Sequence, residues 1–333
     1  MSLHFGQRKL LCHGHKYDQR RPDRPALWQR SCWPGAGRTS HLTCELASTK
    51  RDRHIRDPPL RERTTTTPDD TYSHGHHESV LRSHQWRTAE NSAAYLLPHL
   101  APGTDLLDIG CGPGTVTLDL AARVGPARVV GVDNAPEALD AARTNAARRG
   151  DTTTVFAAGD VYALGFPDDT FDVVHAHQVL QHLTDPVAAL REMRRVCRPG
   201  GFVAARDADY AAMTWHPASP DLDAWLALYE AVARGNGAEP DAARQLLGWA
   251  HAAGFDDVET SADVWCYATA GERAWWGGLW ADRVSRSALA HQAVDRGLAT
   301  PDRLEAIASA WRDWAAHPDG WFAVLNGEVL CRA

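Results

Sequence analysis

The sequence predicts an α/β protein built on a doubly wound parallel sheet, and three observations carry that prediction. Short apolar runs alternate with helical patterns over about residues 104–207. The stretch "LLDIGCGPGT", Leu106 to Thr115, sets three glycines directly behind the first run, and aspartates close the second and third runs at Asp133 and Asp160. Strand, turn and helix in that rhythm make parallel strands joined by crossover helices. Such sheets take ligands beyond the carboxyl ends of their strands, where the strand order reverses.

Taken in order, Ala93, Ala94, Leu96, Leu97 and Leu100 predict a helical face that Pro102-Gly103 ends. "DLLDIG" reads as the first strand, "TVTLDLAARV" as a helix and "ARVVGVD" as the second strand. "APEALDAARTNAARRG" is the next helix, with Asn134 as its cap and Gly150 as its stop. "TTVFAAGD", "FDVVHAH" and "GFVAARD" give strands three to five, and "DPVAALREMRRV" is the helix between the last two. Beyond Asp207 the pattern predicts helices at about 221–235 and 239–253, a strand near Val258–Tyr267, a helical block over about 271–316, and a final strand in "WFAVLNGEVL".

Composition narrows the class. At 333 residues and 44% hydrophobic content the chain has ample material for a buried core. No run approaches the roughly 18 apolar residues of a membrane span, and the first thirty residues lack a secretory apolar stretch, so a cytoplasmic location is expected. Seven cysteines with no C-x-x-C pair fit neither a disulfide framework nor a zinc ribbon. Residues 1–65 hold 14 Lys+Arg against 6 Asp+Glu and all the lysines, whereas the remainder holds 21 Arg against 36 acids. That basic, aperiodic segment reads as a disordered extension or as sequence upstream of the true start, and not as a nucleic-acid arm. Ten of the thirteen tryptophans lie beyond residue 210, which predicts either an aromatic wall around an acceptor or packing between helices.

The strand-end residues describe an adenosine site. A glycine turn at Gly110, Gly112 and Gly114 lets a ligand approach the backbone, Asp133 can accept both hydroxyls of a ribose, and Asp160 can accept an exocyclic adenine amine. A dinucleotide fingerprint needs G-x-G-x-x-G, and this turn reads G-x-G-x-G. Asp108, awkward beside a diphosphate, suits a ligand bearing ammonium and sulfonium charge.

These motifs resemble, in order, those of class I S-adenosylmethionine-dependent methyltransferases, in particular the small-molecule branch that includes quinone C-methyltransferases. "LLDIGCGPGT" is similar to the family's first motif, "VVGVD" to its second, "AAGDVYALGFPDDTFDVV" to its adenine-binding region, and "VCRPGG" to the turn before strand five. The resemblance implies a Rossmann-like seven-stranded sheet whose last strand is antiparallel; the helical insertion of about fifty residues before that strand departs from the family's pattern and leaves the substrate class open. The resemblance also implies that Gly110, Cys111 and Gly112 face the methionyl part, that Asp133 takes the ribose and that Asn134 flanks the adenine. Asp160 then takes the amine, the Val161 amide meets the ring, and His177 with Gln178 lies by the amino acid end. The expected organisation is an extension over 1–65, a helical lid segment over 66–100, a cofactor-binding core over 101–207, and the end of the sheet with an acceptor-side cap over 208–333.

Methyl transfer to a small organic acceptor, apolar or aromatic, is therefore the expected function, by in-line displacement and with no nucleic-acid partner. The alternatives are a dinucleotide-fold oxidoreductase and a cofactor-binding protein of this fold without activity. His74, His76 and His77 read as lid or surface, so no metal site is expected. His182, after strand four, is the candidate base should the acceptor have to lose a proton, with Asp207 or Tyr210 as substitutes.

Overall fold

The computed structural model describes residues 70, 73, 84 and 86–333, all of which fall in one compact unit, Arg56–Ala333. The expected extension over 1–65 and the His74, His76 and His77 cluster lie outside the described residues.

Four strands and their crossovers form where the apolar runs predict them. β1 (Leu106–Ile109) is buried along its whole length and is followed by the glycine turn and a helix over Thr115–Val124. β2 (Val129–Asp133) leads to a helix over Pro136–Arg149, β3 (Val155–Ala158) follows, and β4 (Phe171–His177) leads to a helix over Pro186–Val196. That last helix starts where the Asp185 side chain accepts from the Ala188 amide. The sheet has seven strands in the order β3-β2-β1-β4-β5-β7-β6. Strands β1 to β5 are parallel, and β7 (Trp321–Arg332) runs antiparallel to both β5 (Cys197–His216) and β6 (Val258–Tyr267).

Strand alternation decides what lies on each face. Leu107, Ile109, Val130 and Val174 enter one core with Leu190 and Met193 of the helix after β4. Leu106, Val129 and Val173 enter another on the opposite face, under Ala93 and Leu96.

β5 is longer than its predicted "GFVAARD". His177, the last residue of β4, pairs with Arg206, but β5 runs on to His216 against β7. A register shift between Asp209 and Thr214 is stabilised by Asp209 and Asp241, which accept from the Ala212 and Ala211 amides at 3.0 and 2.8 Å. The ribbon of β5, β7 and β6 therefore extends beyond the carboxyl ends of β1 to β4. A third core packs on it, from helices over Pro220–Gly235, Ala270–Arg286, Ala288–Asp295 and Pro301–Ala316.

Three local expectations are corrected. The helix expected around Ala93–Leu100 is a four-residue turn, Ala89–Ser92, followed by a 3-10 turn over Leu97–His99. The Asn91 carbonyl, which would continue the helix, instead accepts from Arg206 Nη1 at 3.0 Å and from the Trp265 indole at 2.7 Å. Asn134 does not cap its helix, because Asp133 Oδ1 accepts the Ala135 amide at 3.0 Å and Ala135 stands at the cap position. The helix expected over 239–253 is split into a 3-10 turn, Ala242–Gln245, and a short helix, Leu246–Ala252.

Candidate cofactor and acceptor sites

The glycine turn closes on the switch point between β1 and β4. Gly110, Gly112 and Gly114 have φ of +63°, +53° and +74°, a region that side chains disfavour. A Cβ on Gly110 would run into the Val179 side chain, and one on Gly114 would lie 2.9 Å from the Phe156 ring. At Gly112 it would meet, among the described residues, only His84 Nδ1, at 3.5 Å, so that side of the turn is the open one. Asp133 holds the turn in place, its Oδ2 accepting the Gly112 amide at 2.9 Å. The Cys111 amide donates to Val132 at 3.0 Å, and burial, then Asp108 and Asp133, push the Cys111 thiol far up, leaving it protonated.

A polar seam crosses the same face of the sheet. Asp108 is buried, with Thr117 Oγ1 donating to it at 2.5 Å and His175 Nδ1 at 2.7 Å from its other oxygen. His177 is also buried, and neither of its ring nitrogens has a hydrogen-bond partner among the described residues. Burial first, then Arg87 and Arg206, hold it well below the ordinary imidazole pKa, hence neutral. Gln178 follows with φ +58°, a strained conformation for its type. Its amide donates to the Arg206 carbonyl at 2.7 Å and its Nε2 to Asn326 Oδ1 at 2.8 Å. Asp160, past the end of β3, accepts the Tyr162 amide at 3.0 Å. Val161 packs against the core, and Asn134 is exposed.

Beyond Gln178 opens a small cleft. Its walls are Trp86, Trp265, Tyr267, Trp275 and Trp276, and its floor carries Gln178, Gln181 and His182. Trp86 meets Trp265 edge to face at 5.5 Å and Trp275 at 5.6 Å, and Tyr267 stacks on Trp276 at 4.3 Å. Other tryptophans build the core behind the cleft, among them Trp280, which also reaches the lining. Trp225, Trp280 and Trp311 are wholly buried, with Trp225 edge-on to the other two at 4.5 and 4.8 Å.

The floor is a directional hydrogen-bond chain. Gln181 Oε1 accepts the Ala208 amide at 3.1 Å, so its Nε2 faces Gln178 Oε1 at 2.8 Å and His182 Nε2 at 3.0 Å. Burial, then Arg87 and Arg283, lower the His182 pKa to about 3. Asp207 lies beneath, buried, its Oδ1 accepting the Gln181 amide at 3.2 Å, and burial pushes its carboxyl up to about 7.

Residues 107–205 match the methyltransferase domain family. An uncharacterised methyltransferase of Schizosaccharomyces pombe, C1B3.06c, is 36% identical over 271 residues, covering 78% of this chain and 95% of that protein. The chain belongs to the S-adenosylmethionine-dependent methyltransferases. A probable methyltransferase of Aspergillus luteorubrus, ltbC, is 30% identical over 80% of this methyltransferase and 98% of its own length. The 2-methyl-6-phytyl-1,4-hydroquinone methyltransferase of Synechocystis is 37% identical over a shorter stretch, 33% of this chain and 34% of that protein. Nothing in these likenesses supports the oxidoreductase alternative. Among the described residues no helix is long and apolar enough to cross a membrane.

The methyltransferase's turn and seam suit its cofactor. Among the described residues the Gly112 face is open and the buried His177 nitrogens lack hydrogen-bond partners, and an aspartate closes β2 beside the turn. Sequence reasoning did not single out Arg87, Arg206, Arg283, Gln181 or Trp265. Arg283 had a signal, since Trp276, Trp280 and Arg283 follow i, i+4, i+7 spacing on one helix face. Arg206 had none, although it is wholly buried between Glu328 at 3.1 Å and the Trp265 ring at 4.6 Å.

Proposed function

We propose that this methyltransferase methylates a small, planar, largely apolar acceptor held in the aromatic cleft, with its cofactor over the glycine turn. The observation that carries this reading is the place of Gln178. It directly follows the strand whose neighbour carries the turn, and it also lines the cleft floor, so in this reading the two compartments meet at one strained residue.

When bound, S-adenosylmethionine supplies a methyl group already activated on a sulfonium, open to in-line displacement. The protein's own part is to hold two molecules in line, which can be worth about 7 to 11 kcal/mol. In this reading the open Gly112 face, with Gly110, Gly114 and Cys111, lies along the methionyl chain. Asp133 takes the ribose hydroxyls, Asn134 flanks the adenine, Asp160 takes its amine and the Val161 amide meets its ring. His177 and Gln178 hold the amino acid end. Asp108, with its oxygens on Thr117 and His175, acts as a fixed negative charge beneath the turn. The ring walls exclude water from the nucleophile.

His182 is not assigned the base. Its Nε2 lone pair faces the Gln181 amide, and a pKa of about 3 is a poor match for proton abstraction near neutrality. It is a positioning residue in the cleft floor.

Turnover tests the reading. The full chain incubated with S-adenosylmethionine and a panel of phenols, enols and quinols is expected to yield S-adenosylhomocysteine and a methylated product. Tight cofactor binding with no product across the panel would favour the inactive binding protein.

A further inference from the structure

Three carboxamides form one continuous hydrogen-bond chain through Gln178, and both ends of that chain are backbone groups. At one end the Ala208 amide, which can only donate, holds Gln181 Oε1 at 3.1 Å. Gln181 Nε2 then donates to Gln178 Oε1 at 2.8 Å, and Gln178 Nε2 donates to Asn326 Oδ1 at 2.8 Å. At the other end Asn326 Nδ2 donates at 3.1 Å to the Val324 carbonyl, which can only accept. Ala208 and Asn326 face each other across the β5–β7 ladder, so the chain leaves and returns on one rung. The two backbone ends demand the same polarity. Turning Gln178 over would set N–H against N–H at Gln181 and oxygen against oxygen at Asn326.

We infer that Asn326 is a positioning residue for the amino acid end of the cofactor, acting through Gln178. The inference rests on Gln178 holding that end. Asn326 is wholly buried, stands 148 residues from Gln178 in the chain and is not among the residues that line the cleft. A left-handed backbone at a residue other than glycine persists only where its surroundings over-determine it. At Gln178 the Arg206 carbonyl holds the backbone amide at 2.7 Å, while Gln181 and Asn326 hold the two ends of the side chain. Gln178 is half-buried, and after these two bonds its carboxamide keeps one hydrogen and one lone pair. An amino acid end needs both, a lone pair for its ammonium and a hydrogen for its carboxylate, and the fixed polarity offers each at a defined atom. Without Asn326 the carboxamide is tied at its oxygen alone and can turn about that contact.

The test is calorimetry on the full chain with two probes, S-adenosylhomocysteine and 5′-methylthioadenosine, which shares the thioether nucleoside but has no amino acid end. Gln178→Ala is expected to weaken S-adenosylhomocysteine about tenfold or more, as hydrogen bonds to charged groups are lost, and to leave 5′-methylthioadenosine unchanged. Asn326→Leu, similar in volume, is expected to weaken the first probe by about three- to tenfold and again to spare the second. The double variant is expected to bind no worse than Gln178→Ala alone, because Asn326 then has nothing to position. Should Asn326→Leu not fold, Gln181→Met, which cuts the chain on the other side of Gln178, is expected to show the same selective loss. Equal losses for both probes, unchanged affinity in the folded variant, or losses that add in the double variant would overturn the inference. Unchanged S-adenosylhomocysteine affinity in Gln178→Ala would overturn the placing of Gln178 at the amino acid end, and the inference with it.

Discussion

Gln181 Nε2 lies 3.0 Å from His182 Nε2, and the Ala208 amide fixes which way that carboxamide points. With Oε1 taken by the backbone donor, both hydrogens of the Gln181 amide face acceptors, Gln178 Oε1 and the imidazole. His182 is therefore neutral, with its proton on Nδ1. A general base contributes about 10² to 10⁴-fold, and its loss is partly recovered as pH rises. His182→Ala is expected instead to lower kcat by less than about tenfold, by the same factor from pH 6 to 9. Steady-state rates across that range check it, and a large loss that shrinks with pH would restore the base.

Asp133 ties β2 to the glycine turn through the Gly112 amide and to the following helix through the Ala135 amide. If it also takes the ribose hydroxyls, Asp133→Ala removes charged hydrogen bonds worth about 1.5 to 3 kcal/mol. S-adenosylhomocysteine affinity is then expected to fall roughly 10 to 150-fold, while acceptor affinity measured alone stays level. Calorimetry giving equal affinity for variant and parent would remove Asp133 from the site.

The tryptophans separate by depth, and so should their variants. Trp275 is half-buried on the cleft wall, whereas Trp311 is wholly enclosed against Trp225 and Trp280. Trp311→Ala is expected to cost about 3 to 5 kcal/mol of stability, read as a lower urea midpoint. Trp275→Ala is expected to raise the KM for the acceptor with little change in midpoint or in the KM for S-adenosylmethionine. Matching stability losses with unchanged acceptor kinetics would make both of them packing residues.

What was legible in the sequence was what neighbours in the chain decide. Leu106–Ile109 reads as a buried strand, the glycines as a turn, and Asp133 as its strand's last residue, because each depends on a few adjacent positions. The end of the first helix did not, since the Asn91 carbonyl is claimed by Arg206 and Trp265, 115 and 174 residues away. Asn134 lost the cap to its own neighbour, whose carboxylate already bridges to the turn. For the tryptophans, number and location along the chain were plain, but which ones face the cleft follows from how the helices over Ala270–Arg286 and Pro301–Ala316 pack on β5 and β7.

Asp207 gives the chain a pH dependence that its ordinary carboxylates do not. In the unfolded chain its proton leaves near pH 4, whereas burial keeps it in the folded protein up to about pH 7. Between those values the folded state binds the extra proton, so the Asp207 contribution to stability is complete below pH 4 and is lost as pH rises towards 7. The loss is about 1.4 kcal/mol per pH unit and on the order of 4 kcal/mol in all. Asp207→Asn keeps an oxygen for the Gln181 amide and cannot ionise. The stability of the parent minus that of Asp207→Asn is therefore expected to fall steadily from pH 4 to 7 and to level off above it, with other titrations cancelling in the difference. Urea midpoints for both proteins at half-unit intervals measure this. A difference independent of pH would show that Asp207 is already ionised in the fold, with the backbone amides of the Leu180–His182 turn outweighing its burial.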